Sequence, residues 1–130
     1  MAYWGAPVAN ADDSDRAIAA ARDMQDALTV LNTRWAAEGR STLDIGIGIH
    51  CGEAFVGNIG SPRRLEYTLI GDTVNLASRL CAMAKSGDVL VSRALRDSLV
   101  QDHELCHRPE LVPVRHSGVP ESVWSLGRAT

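Results

Sequence analysis

The sequence has no apolar run able to cross a bilayer: the longest, Ala17 to Ala21, falls far short of the roughly 20 residues a spanning helix needs. It has no basic patch either. Thirteen Lys and Arg stand against 16 Asp and Glu for a net charge of −3, and the basic residues are scattered apart from Arg63-Arg64. That leaves no field to hold nucleic acid or an acidic membrane surface. The three cysteines, Cys51, Cys81 and Cys106, are odd in number and unrelated in spacing, and nothing at the start reads as a secretory signal. A disulfide framework is excluded and a reducing, cytoplasmic setting expected, for a segment that itself makes no membrane contact. No repeat, low-complexity tract or Pro/Ser linker divides the 130 residues. One domain is expected, burying roughly two-thirds of its unfolded surface.

What is present alternates helical and strand periods. Met1-Ala2-Tyr3-Trp4 is an apolar, strand-like run closed by Gly5-Ala6-Pro7, abrupt enough to suggest truncation. Asp12, Asp13 and Ser14 offer N-caps, and Ala17, Ala21, Met24, Leu28, Leu31 and Trp35 then form one stripe on a long helix stopped at Gly39. Leu43, Ile45, Ile47, Ile49 and Cys51 alternate with Asp44, Gly46, Gly48 and His50 as a strand. The glycines mark a face that something approaches closely. Gly52 reads as the turn of a hairpin whose return arm is about Ala54 to Ile59, closed by Gly60-Ser61-Pro62, and Leu65 to Ile70 reads as a third strand. Asp72 reads as the cap of a helix over about Thr73 to Lys85. A short strand (Val89 to Ser92), a short helix (Arg93 to Leu99) and a closing antiparallel pair between Leu105 and Leu126 complete an α+β order.

The helix behind Asp72 carries the chemistry. Val74, Leu76, Ala77, Leu80, Cys81, Met83 and Ala84 cover most of its circumference and predict burial, leaving Asn75, Ser78 and Arg79 as a polar stripe. Asn75 and Arg79, at i and i+4, point the same way. An Arg fixed on such a helix can fork onto a phosphate or carboxylate while the amide grips a neighbouring oxygen. Taken alone, the stripe fits equally an Arg paired with an acid and an Asn capping a strand end. Because Asp72 sits where an anion would lie, phosphate contact would come from Arg79 and not from the helix dipole.

The run ending at Leu80, GIGIHCGEAFVGNIGSPRRLEYTLIGDTVNLASRL, resembles the second half of class III adenylyl and guanylyl cyclase catalytic domains. Met1-Ala2-Tyr3-Trp4-Gly5 is similar to the segment after that family's Gly-Asp hairpin. The resemblance spans essentially the whole chain. It implies a ferredoxin-like, palm-type fold and makes residues 1–130 the C-terminal portion of a catalytic domain. It further implies that Asn75 orients the ribose, that Arg79 stabilises charge on the attacked α-phosphate, and that Thr68 helps read the base. Guanylyl cyclases characteristically carry Cys at that position, whereas many bacterial adenylyl cyclases carry Thr, so ATP is the expected substrate, a hydroxyl being able to accept from the adenine amino group.

The departures are as informative. The family's two metal-binding aspartates, and the lysine that partners Thr68, would lie before Met1, so the Mg²⁺ or Mn²⁺ expected for a full domain finds no ligands here. A basic residue for the triphosphate is expected before a glycine near the last hairpin; Ser117 precedes Gly118, leaving Arg115 or His116. A zinc site from His103, Cys106 and His107 with His50-Cys51 lacks a CxxC pair and is disfavoured. Gly46-x-Gly48-x-His50-x-Gly52 misses GxGxxG and lies in a strand. The GGDEF signature of diguanylate cyclases is absent. Family members act as head-to-tail dimers with sites between domains, which implies a homodimer or a heterodimer with another cyclase domain. The resemblance thus implies adenylate cyclase activity in cyclic-nucleotide signalling, with the isolated chain inactive, against a non-catalytic module that dimerises with or regulates an intact partner. An antiparallel sheet short of its leading strands would also self-associate.

Overall fold

The computed structural model describes residues 1–6, 8–59, 66–114 and 119–127, with side chains described for all of these except 55–59 and 66–70. The elements run α1 (Asp13–Ala37), β1 (Ile47–Ile49), β2 (Phe55–Ile59), β3 (Glu66–Ile70), α2 (Asp72–Met83), β4 (Val89–Ser92), α3 (Arg93–Asp97), β5 (Leu105–Val112) and β6 (Glu121–Leu126). One sheet has the order β1-β4-β6-β5, and β2 and β3 form a separate antiparallel pair. The expected α+β class holds.

The four-stranded sheet is mixed, not antiparallel, because β1 runs parallel to β4, Ile47 beside Val89 and Ile49 beside Val91. β4 and β5 both pair antiparallel with β6. Every residue of β4 is buried, as expected of a strand covered on both faces. On one face Leu76 and Leu80 of α2 pack with Leu90, Val112 and Val123. On the other, Ile18 of α1 packs with Val91 and Leu95, flanked by Ile49 and Trp124. Adjacent residues such as Leu90 and Val91 serve opposite faces, the period of two that a strand imposes.

α1 ends where Gly39 adopts φ +72 and the Arg40 N–H reaches back to the Trp35 carbonyl at 2.7 Å, closing the last turn. Its apolar stripe is only half used. Ala17, Ile18 and Ala21 are buried, but Met24 is 53% and Leu31 38% exposed. The buried residues of this 25-residue helix, Asp15, Ala17, Ile18 and Ala21, all lie in its first three turns.

Three further expectations are corrected. Residues 1–4 form no strand. The hairpin about Gly52 does not exist: β2 pairs with β3, Phe55 opposite Ile70, while β1 gives its edge to β4. The glycine signal there is real but tertiary, since a Cβ on Gly52 would stand 2.7 Å from the Thr73 hydroxyl. Asp72 is the first helical residue of α2 and not its cap; Gly71 holds the N-cap position at φ +134, a value that lets β3 turn directly into the helix.

Candidate functional site

The site is assembled around α2, and the close fit of α2 on β1 begins with two glycines. A Cβ on Gly46 would lie 2.7 Å from the Ala84 carbonyl oxygen, and one on Gly48 2.7 Å from the Ala77 carbonyl oxygen, each an impossible contact. The face predicted to be closely approached is therefore pressed against the helix backbone. Period two puts His50 on that same face, beyond the end of β1 and under the first turns of α2.

α2 is less buried than its composition predicts. Leu76 and Leu80 are buried, whereas Asn75, Ser78 and Cys81 are exposed, because only one face of the helix meets the sheet. Asn75 and Arg79 share a shallow cavity of about 180 Å³, lined also by His50, Asp72, Leu76 and Glu121. Among the described residues Arg79 has no acidic partner within ion-pair distance. Its Nη1 donates to the Pro113 carbonyl at 2.8 Å, where β5 ends. A guanidinium has five donors, so one anchored N–H fixes the group and leaves others for a ligand.

His50 is the part of this site that the sequence reading passed over, having weighed it only as a zinc ligand. Its Nδ1 lies 2.6 Å from the Ser92 hydroxyl. Ser92 is fully buried and also accepts from the Leu95 N–H at 3.2 Å, capping α3. Burial pushes the imidazole pKa below its ordinary value, opposed in part by the charge of Glu121. Burial thus favours the neutral imidazole. The available signal was its shared parity with Gly46 and Gly48.

The remaining candidates separate. Thr68 lies in β3 opposite Gly57, three residues before Gly71; its side chain is outside the described residues, as are Arg63, Arg64, Arg115, His116 and Ser117. The zinc candidates do not converge. His103 meets the buried carboxylate of Asp15 at 2.8 Å, and His107 packs edge-on against Trp124 at 5.2 Å. No three His, Cys, Asp or Glu gather to hold a metal among the described residues. Asp15, a buried acid on α1, instead clasps the loop before β5, accepting from the Val100 and Gln101 N–H groups at 3.0 and 2.9 Å. Burial pushes its pKa up, but those two bonds and His103 prevail and hold it below the ordinary value. Among the described residues no helix is long and apolar enough to cross a membrane.

Known proteins resemble this chain in sequence and fold. The chain is 42% identical over 85 residues to Adenylate cyclase 1 of Rhizobium meliloti, covering 65% of this chain and 13% of that protein. It is 36% identical over 130 residues to an uncharacterised protein of Mycobacterium tuberculosis, covering 98% of this chain and 19% of the relative. Among solved structures it superposes on the guanylyl cyclase Cya2 with a TM-score of 0.84 at 32% identity, covering 95% of this chain and 62% of that one. The adenylyl cyclase CyaB of P. aeruginosa gives 0.82 at 25% identity, covering 98% and 66%. The chain thus spans under a fifth of these sequence relatives and slightly under two-thirds of the structures. The family of the adenylate and guanylate cyclase catalytic domain matches residues 1–124, and with the fold in agreement this chain belongs to the class III nucleotidyl cyclases.

Proposed function

We propose that residues 1–130 are the C-terminal portion of an adenylate cyclase catalytic domain, which converts ATP to 3′,5′-cyclic AMP and pyrophosphate. The observation that supports it is the common cavity of Asn75 and Arg79, with Arg79 anchored on Pro113, in a chain of this family. In this reading Asn75 holds the ribose so that its 3′-hydroxyl lies in line with the α-phosphorus. Arg79 stabilises the charge that accumulates on the α-phosphate oxygens as the pyrophosphate bond lengthens. Phosphoryl transfer asks little more of a protein than such positioning and charge stabilisation. Thr68 accepts from the adenine amino group, which is the ground for preferring ATP; the match to an adenylate cyclase of Rhizobium meliloti agrees with it.

The divalent ions that such chemistry uses do not fit the described residues, which bring no three ligands together. Mg²⁺ or Mn²⁺ would be held by acidic groups of a complementary domain, in a homodimer or heterodimer with the site between the two. The cytoplasm, with its ATP, is the expected compartment. The test is a mixture of this chain with a cyclase domain that has intact metal-binding aspartates and a disabled Arg helix. Cyclic AMP should form in the mixture, not from this chain alone, and Arg79→Ala should lower the rate by about 10²-fold or more, like other transition-state donors. Activity of the chain alone would refute the proposal, and an active mixture indifferent to Arg79→Ala would establish a regulatory module instead.

A further inference from the structure

His50 has no place in the roles assigned to Asn75, Arg79 and Thr68, yet it lines their cavity. Its ring is not free to turn. Nδ1 is held by the Ser92 hydroxyl, which is itself held by capping the Leu95 N–H. That leaves Nε2 as the nitrogen without a described partner. No buried side-chain nitrogen or oxygen lacks a partner among the described residues, so an unpartnered Nε2 must open to solvent, and the space His50 borders is the cavity. A rigidly held imidazole thus presents one nitrogen to the cavity that Arg79 also lines.

The charges around it decide what that nitrogen does. Asp72 and Arg79 from α2, Glu121 from β6 and Ala94 from α3 line the cavity with the ring, β4 contributes Ser92, and the adjacent Cys51 thiol turns to Ser98. The charge that acts on the ring is Glu121, which favours the imidazolium against burial. An anion bound beside the ring would act in the same sense and draw a second proton onto it.

We propose that His50 is a further phosphate-binding group of the nucleotide site, donating from Nε2 to a phosphate oxygen and taking up a proton as the anion binds. In the neutral ring that donates from Nε2, Nδ1 accepts from the Ser92 hydroxyl; the added proton goes to Nδ1, which then donates to the hydroxyl oxygen, and Nε2–H becomes a charged donor in the cavity. This rests on the reading of Asn75 and Arg79 as nucleotide ligands. It makes nucleotide affinity rise as the pH falls through neutrality, beyond any change due to the titration of ATP itself.

Two substitutions separate binding from structure. In His50→Asn the side-chain amide reaches the position of Nδ1, keeps the Ser92 bond and removes Nε2. In His50→Gln the amide reaches the position of Nε2 but cannot titrate. ATP binding to the intact chain, without metal, is followed by calorimetry at pH 6 and pH 8 in buffers of different ionisation enthalpy, with Arg79→Ala alongside. The wild-type chain should take up a fraction of a proton on binding ATP and bind more tightly at pH 6. His50→Asn should melt like wild type, lose about tenfold in affinity at pH 6 and show only the proton uptake attributable to ATP, and His50→Gln should lose the same pH dependence. Wild-type affinity and proton uptake in His50→Asn overturn the inference. If Arg79→Ala binds ATP as wild type does, the nucleotide-site reading fails first. If Arg79→Ala weakens binding and His50→Asn does not, only the role of His50 fails. Absence of ATP binding by the wild-type chain overturns the inference about His50 and leaves the nucleotide-site reading to the mixing experiment.

Discussion

Replacing Gly48 with Ala tests the contact on which the whole site depends. The added Cβ would meet backbone atoms of α2, at 2.7 Å from both the Ala77 oxygen and the Leu80 carbonyl carbon. Unstrained contacts of this kind lie near 3.5 Å, so α2 must retreat by at least about 0.8 Å, and further to clear the Cys81 backbone nitrogen. A side-chain tip could swing aside; a helix backbone moves only as a body. It would draw Leu76 and Leu80 away from Leu90, Val112 and Val123. Overpacking costs about 1–3 kcal/mol, and an obstruction made of backbone belongs at the upper end. For a chain of 130 residues, 3 kcal/mol corresponds to a fall of about 10 °C in Tm. Gly39→Ala is the complementary control. Nothing lies within 4 Å of its Cβ, but φ is +72, so it pays only the left-handed backbone penalty of about 1 kcal/mol, or about 4 °C. Far-UV circular dichroism melts of the three proteins decide the matter, with ATP titration reporting the displacement of Asn75 and Arg79. A Gly48→Ala chain melting within 2 °C of wild type, or above Gly39→Ala, would refute the packing argument.

Asp15→Ala should cost about 3 kcal/mol in urea unfolding, because the N–H groups of Val100 and Gln101 and the ring of His103 lose their acceptor inside the protein. The Asp15 pKa is depressed in the fold, so its contribution is complete above the ordinary value of 3.8 and disappears as the pH falls through the lower folded value. Acid unfolding below pH 3.8 should accordingly be steeper in wild type than in Asp15→Asn, and equal steepness would refute the assignment. The folded His50 pKa is also depressed, so the unfolded chain binds more protons below 6.5 and stability falls as the pH drops below that value. His50→Asn should flatten the urea midpoint between pH 7 and pH 5.5. In a domain restored to activity, Thr68→Cys should erode the preference for ATP over GTP, since the wrong base leaves polar groups unpaired; equal turnover of both nucleotides before mutation would refute the base assignment.

The chemistry-bearing helix was legible because its signals are local. Asn75 and Arg79 share a face by the 3.6-residue period alone, and the motif around them carries the family. Gly46 and Gly48 announced a close approach because a strand that tolerates two glycines is making room for something. The identity of the neighbour, α2, lies beyond the reach of a local pattern. The same limit explains the hairpin about Gly52, since a turn residue shows that the chain bends and not which edge the next strand finds.

By itself the sequence determined what repeats along the chain: the α1 stripe, the alternation through β1 and the Asn75–Arg79 pair, all consequences of backbone period and residue shape. Only the tertiary structure decided which of those faces are covered, for Met24 and Leu31 of the α1 stripe remain exposed. It alone also joined partners distant in sequence, namely His50 with Ser92, Asp15 with His103 and Arg79 with Pro113. The reason is physical. Periodicity records the directions in which side chains leave one segment, whereas a hydrogen bond across the fold depends on where a second segment has come to rest.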